Sequence, residues 1–425
     1  MDGVAAVRLA VFRARILALI ACVLYIASAT AATPRVDYEA MTRAAVDRVV
    51  AGQSARGFFY YGFNFLTDEP IEPNRLTRAQ LVRQAGTALV LAKYYARFKD
   101  ARVSASLQRS FAGYASLSVP IGKGVVQNVL EDAGVMSIPI GRWKLQAALD
   151  KLGWLYTREG NGRLLSHDGT YASAVASGAA LALAAELVYS RASGDEQFAP
   201  LRSSWLDGLL AVHLPAGGFR QTPVSMDDDD HYLNAHAWYA LAMYVERTAD
   251  DERVNHVLRD VDETLMSRYS QHPHREFYHW GAIAASQRFK TTRDPRFLDF
   301  LRQQAQFFFN ELEPRLNAQD NPCATMEGLA ATLSALRSGN DASPIALRIA
   351  GWLRTQRDKL PVLQIQPRQL RLKLGGDAFL DSPRLADHAG DFRWGLYDAT
   401  TRVDASSHCV SAVLMMQELD LLRDD

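Results

Sequence analysis

A helical unit recurs about six times along this chain, and each copy joins a small-residue, apolar helix to an amphipathic one. The apolar helices open on polar motifs. The first three read Arg83-Gln84-Ala85-Gly86-Thr87, Ser173-Ala174-Val175-Ala176-Ser177-Gly178 and His231-Tyr232-Leu233-Asn234-Ala235-His236. The later three are His279-Trp280-Gly281, Met326-Glu327-Gly328 and Arg402-Val403-Asp404 with Ser407-His408. Repetition at about 40–50 residues marks a stacked or closed helical array. Polar chemistry at one point of each unit implies that those points converge in space, so the array carries a site.

The periodicity predicts a leading helix from Val36 to Gly52, an extended aromatic stretch from Gly57 to Phe65, and helices from Thr77 onward and over Ala101 to Leu117. Further pairs follow: Tyr171 to Arg191 with Glu196 to His213, Tyr232 to Arg247 with Arg253 to Tyr269, and Trp280 to Lys290 with Arg296 to Leu312. Glu327 to Leu336 pairs with Pro344 to Leu360, and Ala405 to Leu422 closes the chain. Asp, Gly and Asn at the joins suit turns between antiparallel helices. One helix of each pair is apolar all round, as a buried inner helix must be, and its partner has a charged face for solvent. Six such pairs closing on themselves make an all-α (α/α)6 toroid, with an open solenoid as the other arrangement. Two insertions interrupt it, near residues 118–166 and 361–401; the first reads as small β-hairpins around Val125 to Leu130 and Gly134 to Ile140.

Residues 1–31 read as a signal peptide and residues 32–425 as a single domain. Arg8, Arg13 and Arg15 precede an apolar run from Ile16 to Ala29 and an Ala-Thr-Ala site. That run is shorter than the ~20 residues of a spanning helix, so no membrane span is expected after cleavage, and the mature chain is expected in the periplasm or secreted. The 47 basic and 47 acidic side chains balance, which leaves no basic stripe for a nucleic acid. Cys323 and Cys409 then face an oxidising compartment. They start the fifth and sixth inner helices, neighbours in a closed ring, so a disulfide and two separate buried thiols both fit.

The motifs Arg83 to Thr87, Glu327-Gly328-Leu329-Ala330 and Arg402 through His408 resemble those of bacterial (α/α)6 toroid proteins. These are similar to the six-hairpin glycosidase superfamily and to the C-terminal toroid of glucuronyl C5-epimerases. The resemblance covers most of residues 75 to 422. It implies a carbohydrate-handling groove at one end of the barrel, often for uronic-acid polymers or oligosaccharides, and no particular reaction. The third repeat departs from the pattern. Similar proteins open it with a Tyr, a Gly and a Glu, whereas here Tyr232 is followed by Asn234-Ala235-His236.

Glycoside hydrolysis needs two carboxyl groups across the scissile bond. The candidates are Asp168, one of Asp227 to Asp230, Glu327 and Asp404. Glu327 leads, because a carboxylate is favoured at a helix start and has a small neighbour in Gly328; a helix cap or an internal ion pair is the structural alternative. Arg402, Asp404 and His408 can face one mouth, with Arg402 gripping a carboxylate and His408 as acid or base. An Arg402–Asp404 contact that merely fixes the loop explains the same residues. The acidic run Asp227 to Asp230 before His231, and His272, His274 and His279, fit no standard metal spacing, so no metal or other cofactor is expected. Among aromatics near the ring, Tyr60, Tyr61, Tyr232, Trp238, Tyr278, Trp280 and Trp394, flat faces suit sugar C–H groups, although Trp238 belongs with the core.

These residues lead to an exported protein acting on a polysaccharide or oligosaccharide, one bearing carboxylates. Glu327, Asp404 and His408 would carry the chemistry, and Arg83, Tyr232, His236, His279, Trp280 and Arg402 would bind substrate. Two other readings stand beside it. One is a non-catalytic glycan-binding or polysaccharide-assembly protein of an export system. The other is a lyase or C5-epimerase in which His408 or Tyr232 abstracts a sugar proton.

Overall fold

The structure, a computed structural model, describes residues 36–71, 76–121, 162–214, 217–223 and 230–423. The signal peptide, the hairpins expected between Val125 and Ile140, and Asp227 to Asp229 lie outside the described residues. Everything below belongs to the compact unit Glu39–Asp425, apart from Tyr38 at the start of the first helix.

Local signals set the helix ends. After α1 (Tyr38–Ala51), helix α2 (Arg78–Phe98) starts at a capping box in which Thr77 and Gln80 satisfy each other's backbone N–H groups. It ends with Lys99 in the left-handed region, and the next residue, Asp100, caps α3 (Ala101–Ser116). The same grammar recurs where left-handed Arg293 ends α8 (Arg275–Thr292) and Asp294 caps α9 (Pro295–Phe307), with proline in its first turn. Between these lie α4 (Ala176–Ser193), α5 (Ala199–Ala211), α6 (His231–Arg247) and α7 (Glu252–Gln271). Helices α10 (Cys323–Ser338), α11 (Pro344–Arg357) and α12 (Val403–Glu418) follow, with a single helical turn at Leu360–Leu363 between the last two.

The ring is closed. Helix α2 packs on α4, α4 on α6, α6 on α8, α8 on α10 and α10 on α12, and α12 packs back on α2. Helices α3, α5, α7, α9 and α11 each pack outside the inner helix that precedes them. Composition explains the two layers. The inner α4 buries residues on every side because it has neighbours on every side. The outer α7 buries only the stripe Val254, Val257, Leu258, Val261, Leu265 and Tyr269, with Asp262 among them. Gly328 brings α10 close to α8: a Cβ there would stand 3.3 Å from the His279 Cα. The open-solenoid alternative is thereby replaced by the toroid.

Small sheets accompany the helices. Strand β1 (Gly62–Asn64) pairs antiparallel with β2 (Glu69–Ile71) and β8 (Thr400–Arg402), placing Gly62 opposite Arg402. Only glycine fits at 62, since a Cβ would lie 2.2 Å from the Thr401 carbonyl oxygen. Strands β3 (Ser118–Pro120), β4 (Arg163–Ser166) and β5 (Ala174–Val175) form a second sheet, so α4 starts five residues later than the periodicity predicts. The second insertion carries the hairpin of β6 (Arg371–Gly375) and β7 (Ala378–Asp381). Its Leu372 joins Phe63, Phe65, Ile365 and Leu385 in a separate apolar cluster.

Candidate active site

The polar motifs sit one turn inside the inner helices rather than at their first residues. Arg83, His236 and His408 are the sixth residues of α2, α6 and α12, and His279 and Glu327 are the fifth of α8 and α10. At that level the second turns face one another around a cavity of about 420 Å³. The second repeat contributes Leu181 at the same level, an apolar wall. Tyr232, Trp280, Trp394, Arg78 and Asn321 line the remainder.

At its heart Glu327, 1% exposed, holds two histidines. His408 Nδ1 donates to Glu327 Oε2 at 2.5 Å, and His279 Nε2 lies 3.0 Å from the same oxygen. At that distance the neutral ring turns its Nε2–H toward the carboxylate, although that hydrogen is not well aligned with the oxygen. Burial alone would raise the Glu327 carboxyl, but the His408 charge and the contacts from both imidazoles outweigh it and hold the group well below the usual carboxylate range. Burial opposes charge on His408 too, yet Glu327 wins by charge and hydrogen bond, so His408 is raised and favours imidazolium. His279 is lowered by burial, which Glu327 offsets only in part. His236 is pushed down to about 3 by burial and by the neighbouring His279 and His408, and its Nδ1 is buried with no partner. One wall therefore presents an imidazolium beside two neutral imidazoles.

Asp404 is occupied elsewhere. Arg402 grips it with two hydrogen bonds of 2.9 and 2.5 Å, and Arg83 Nε approaches it at 3.0 Å while Arg83 Nη1 donates to Tyr61. The expected pairing of Glu327 with Asp404 across a glycosidic bond therefore has no free carboxyl on either side: histidines hold one and arginines hold the other. Arg402 stands behind Asp404, its guanidinium 3.9 Å from the Trp394 ring centre, and does not wall the cavity. Tyr232, 46% exposed, and Trp280, which packs edge-on with His236, do lie in the wall. Burial raises the Tyr232 hydroxyl above its ordinary range, which suits it to donate hydrogen bonds rather than to act as a base.

The remaining sequence candidates serve the scaffold. Asp168 accepts hydrogen bonds from Ser166, Thr170 and Ser173 and ties a loop. Asp230 caps α6 and also lines the cavity edge, His274 caps α8 and stacks on His231, and Trp238 lies in the core bonded to Asp262. Asn321, Gln221 and Arg78 escaped sequence reasoning, since they lie outside the repeated motifs. Among the described residues, His279, Glu327 and His408 form the grouping suited to a metal ion, their ligand atoms lying within 4.8 Å of one another. A tetrahedral cation with bonds of about 2.0–2.1 Å would hold nitrogen and oxygen ligands roughly 3.3 Å apart. The 2.5 Å His408–Glu327 contact is better matched to a shared proton.

Cys323 and Cys409 are joined in a disulfide that staples α10 to α12. Cys323 is one turn before Glu327, and Cys409 follows His408, so the bond holds together the two helices that supply the ion pair. No helix among the described residues is long and apolar enough to cross a membrane.

No family model matches the chain, and no curated protein matches it in sequence. Solved structures share its fold. An inactive variant of an alpha-1,6-mannanase from Salegentibacter sp., bound to alpha-1,6-mannotetrose, is 11% identical and covers 90% of this chain and 100% of its own, with a TM-score of 0.56. A cellobiose 2-epimerase from Spirochaeta thermophila is 14% identical over 88% of this chain and 94% of its own, TM-score 0.54. An unsaturated glucuronyl hydrolase specific for heparin is 12% identical over 89% and 96%, TM-score 0.51. The chain is thus an (α/α)6 toroid of the six-hairpin glycosidase-like fold, as the resemblance of its motifs implied.

Proposed function

We propose that this protein moves a carbon-bound proton on a carbohydrate held in the toroid mouth, as an epimerase or isomerase does, with His279 and His408 as base and acid. The observation that carries this reading is the sharing of Glu327 by two cavity histidines, while the other carboxylates of the lining are engaged as well, Asp404 by Arg402 and Arg83 and Asp230 by the start of α6 and Gln221. Neutral His279 takes the proton next to a sugar carbonyl or carboxyl group. The C–H electron pair passes into that group and leaves an enediolate. His408 returns a proton to the carbon from the Nε2 side, since its Nδ1 is bound to Glu327. His279 then carries the substrate proton and His408 lacks one at Nε2, and exchange with solvent resets both rings, because Glu327 meets His408 only at Nδ1, which keeps its hydrogen. Neutral His236 and the Arg83 guanidinium offer hydrogen bonds to the developing oxyanion.

The fold accommodates such chemistry, because a cellobiose 2-epimerase shares it, alongside a mannanase and a glucuronyl hydrolase. The N-terminal pattern and the disulfide support export, so the sugar would be met in the periplasm or outside the cell. Asp404 already neutralises Arg83 and Arg402, which weakens the case for a uronate grip by those two residues. The test is incubation with neutral and uronate oligosaccharides in D2O. One solvent deuteron in the product and a new stereoisomer by NMR are expected. New reducing ends without deuterium would replace this reading with hydrolysis, an unsaturated product would indicate a lyase, and binding without turnover would indicate a glycan-binding protein.

A further inference from the structure

Trp394 belongs to two cavities at once. It walls the central cavity and also a second, more open one of about 540 Å³, whose other side chains include Asn317, Gln319, Asp320, Tyr397 and Asp398. Both volumes lie in the range of about 300–1,000 Å³ typical of ligand sites. The ring is 43% exposed, while its backbone is hydrogen-bonded on both sides. Its backbone N–H donates to the Thr400 carbonyl and its carbonyl accepts from Asn321 N–H. Leu396 N–H donates to the Gln319 carbonyl, and Asp320 bridges to Gly395, so the loop is pinned along both edges. One ring face is backed by the Arg402 guanidinium at 3.9 Å, itself locked to Asp404. The indole is therefore a fixed platform, and large exposed aromatics held this firmly are suited to stacking on apolar C–H faces.

We infer that Trp394 is the shared wall between the central cavity and an outer subsite for uncharged sugar units, so that the substrate is the end of an oligosaccharide or polysaccharide rather than a monosaccharide. This rests on the carbohydrate reading of the central site. The chemistry of the outer lining selects its occupant. Side-chain amides can donate to and accept from hydroxyl groups and two carboxylates can accept from them, and among the described residues no lysine or arginine lines this cavity. A uronate there would meet Asp320 and Asp398, and the Arg393 guanidinium that Asp398 feels is buried outside the lining, which disfavours it.

The experiment measures binding calorimetrically for neutral gluco- and manno-oligosaccharides of one to six units and for uronate oligosaccharides of matching length. Wild type, Trp394→Ala, Trp394→Phe and Gln319→Ala are compared in an otherwise intact full chain, with thermal melts as the folding control. Affinity is expected to rise about tenfold or more from one to three neutral units. It should flatten in Trp394→Ala, be largely kept in Trp394→Phe, and weaken only for the longer ligands in Gln319→Ala. Affinity independent of length, or a rise with length that Trp394→Ala leaves intact, would overturn the subsite, and so would tighter binding of the uronates. Length-dependent binding without deuterium exchange would sink the proton-transfer proposal while leaving the subsite standing.

Discussion

Removal of the Cys323–Cys409 disulfide tests how the toroid is held closed. The bond spans 86 residues of sequence and joins two inner helices that already pack against each other. Cross-linking removes loop-closure entropy from the unfolded chain, and for a loop of this length the chain-entropy relation gives roughly 4.6 kcal/mol at 25 °C. Both cysteines are fully buried, so alanine is the better replacement, since serine would bury a hydroxyl group. The double variant Cys323→Ala/Cys409→Ala is expected to lose about 4–5 kcal/mol in urea denaturation, with a steeper dependence on urea because the freed chain exposes more surface. Reduced wild type should lose nearly as much, and the difference between the two measures the packing change. Because Cys409 adjoins His408 and Cys323 precedes Glu327 by one turn, the imidazolium NMR signal of His408 should shift in the same samples. A loss below about 1 kcal/mol, with an unchanged urea slope, would refute the entropic reasoning.

Three other perturbations probe the charges. Glu327→Gln removes the main support of the His408 charge, so the alkaline limb of the rate profile should move to lower pH. Its kcat should fall about 10²–10⁴-fold. His236 is pushed by burial, and by His279 and His408 beside it, from 6.5 to about 3, so the unfolded chain takes up this proton first as pH falls. The stability His236 contributes is then full above pH 6.5 and lost progressively down to about 3; urea titrations from pH 8 to 4 should show a smaller loss for His236→Gln, and an equal loss would disprove the linkage. Arg288→Ala leaves Asp262 buried with only the Trp238 indole as partner, and should destabilise by about 3–5 kcal/mol in the same assay, against a much smaller effect for the exposed Arg371→Ala.

The alternation of apolar and amphipathic helices was readable from residues, because burial on all sides and burial on one stripe leave different periodicities. Thr77, Asp100 and Asp294 likewise announce their turns through caps that act within a few residues. Of the residues singled out in the sequence, Arg83, Tyr232, His236, His279, Trp280, Glu327, Asp404 and His408 meet at one cavity, and Arg402 stands behind it. Their roles were not legible there. Whether Glu327 faces Asp404 or a histidine depends on the rotation of α10 against α8 and α12, and its hydrogen-bond partner is 81 residues away. Trp394, named in the sequence only as an aromatic near the ring, and Asn321, not singled out there, lie in loops without period, and the folded chain places both in the wall. Local sequence determined the alternating inner and outer helices and the side chains of the inner turns, since propensity, capping and amphipathicity act over a few residues. Ring closure alone decided which carboxylate met which imidazole, and with it where the charge rests, because charge and desolvation act through space and not along the chain.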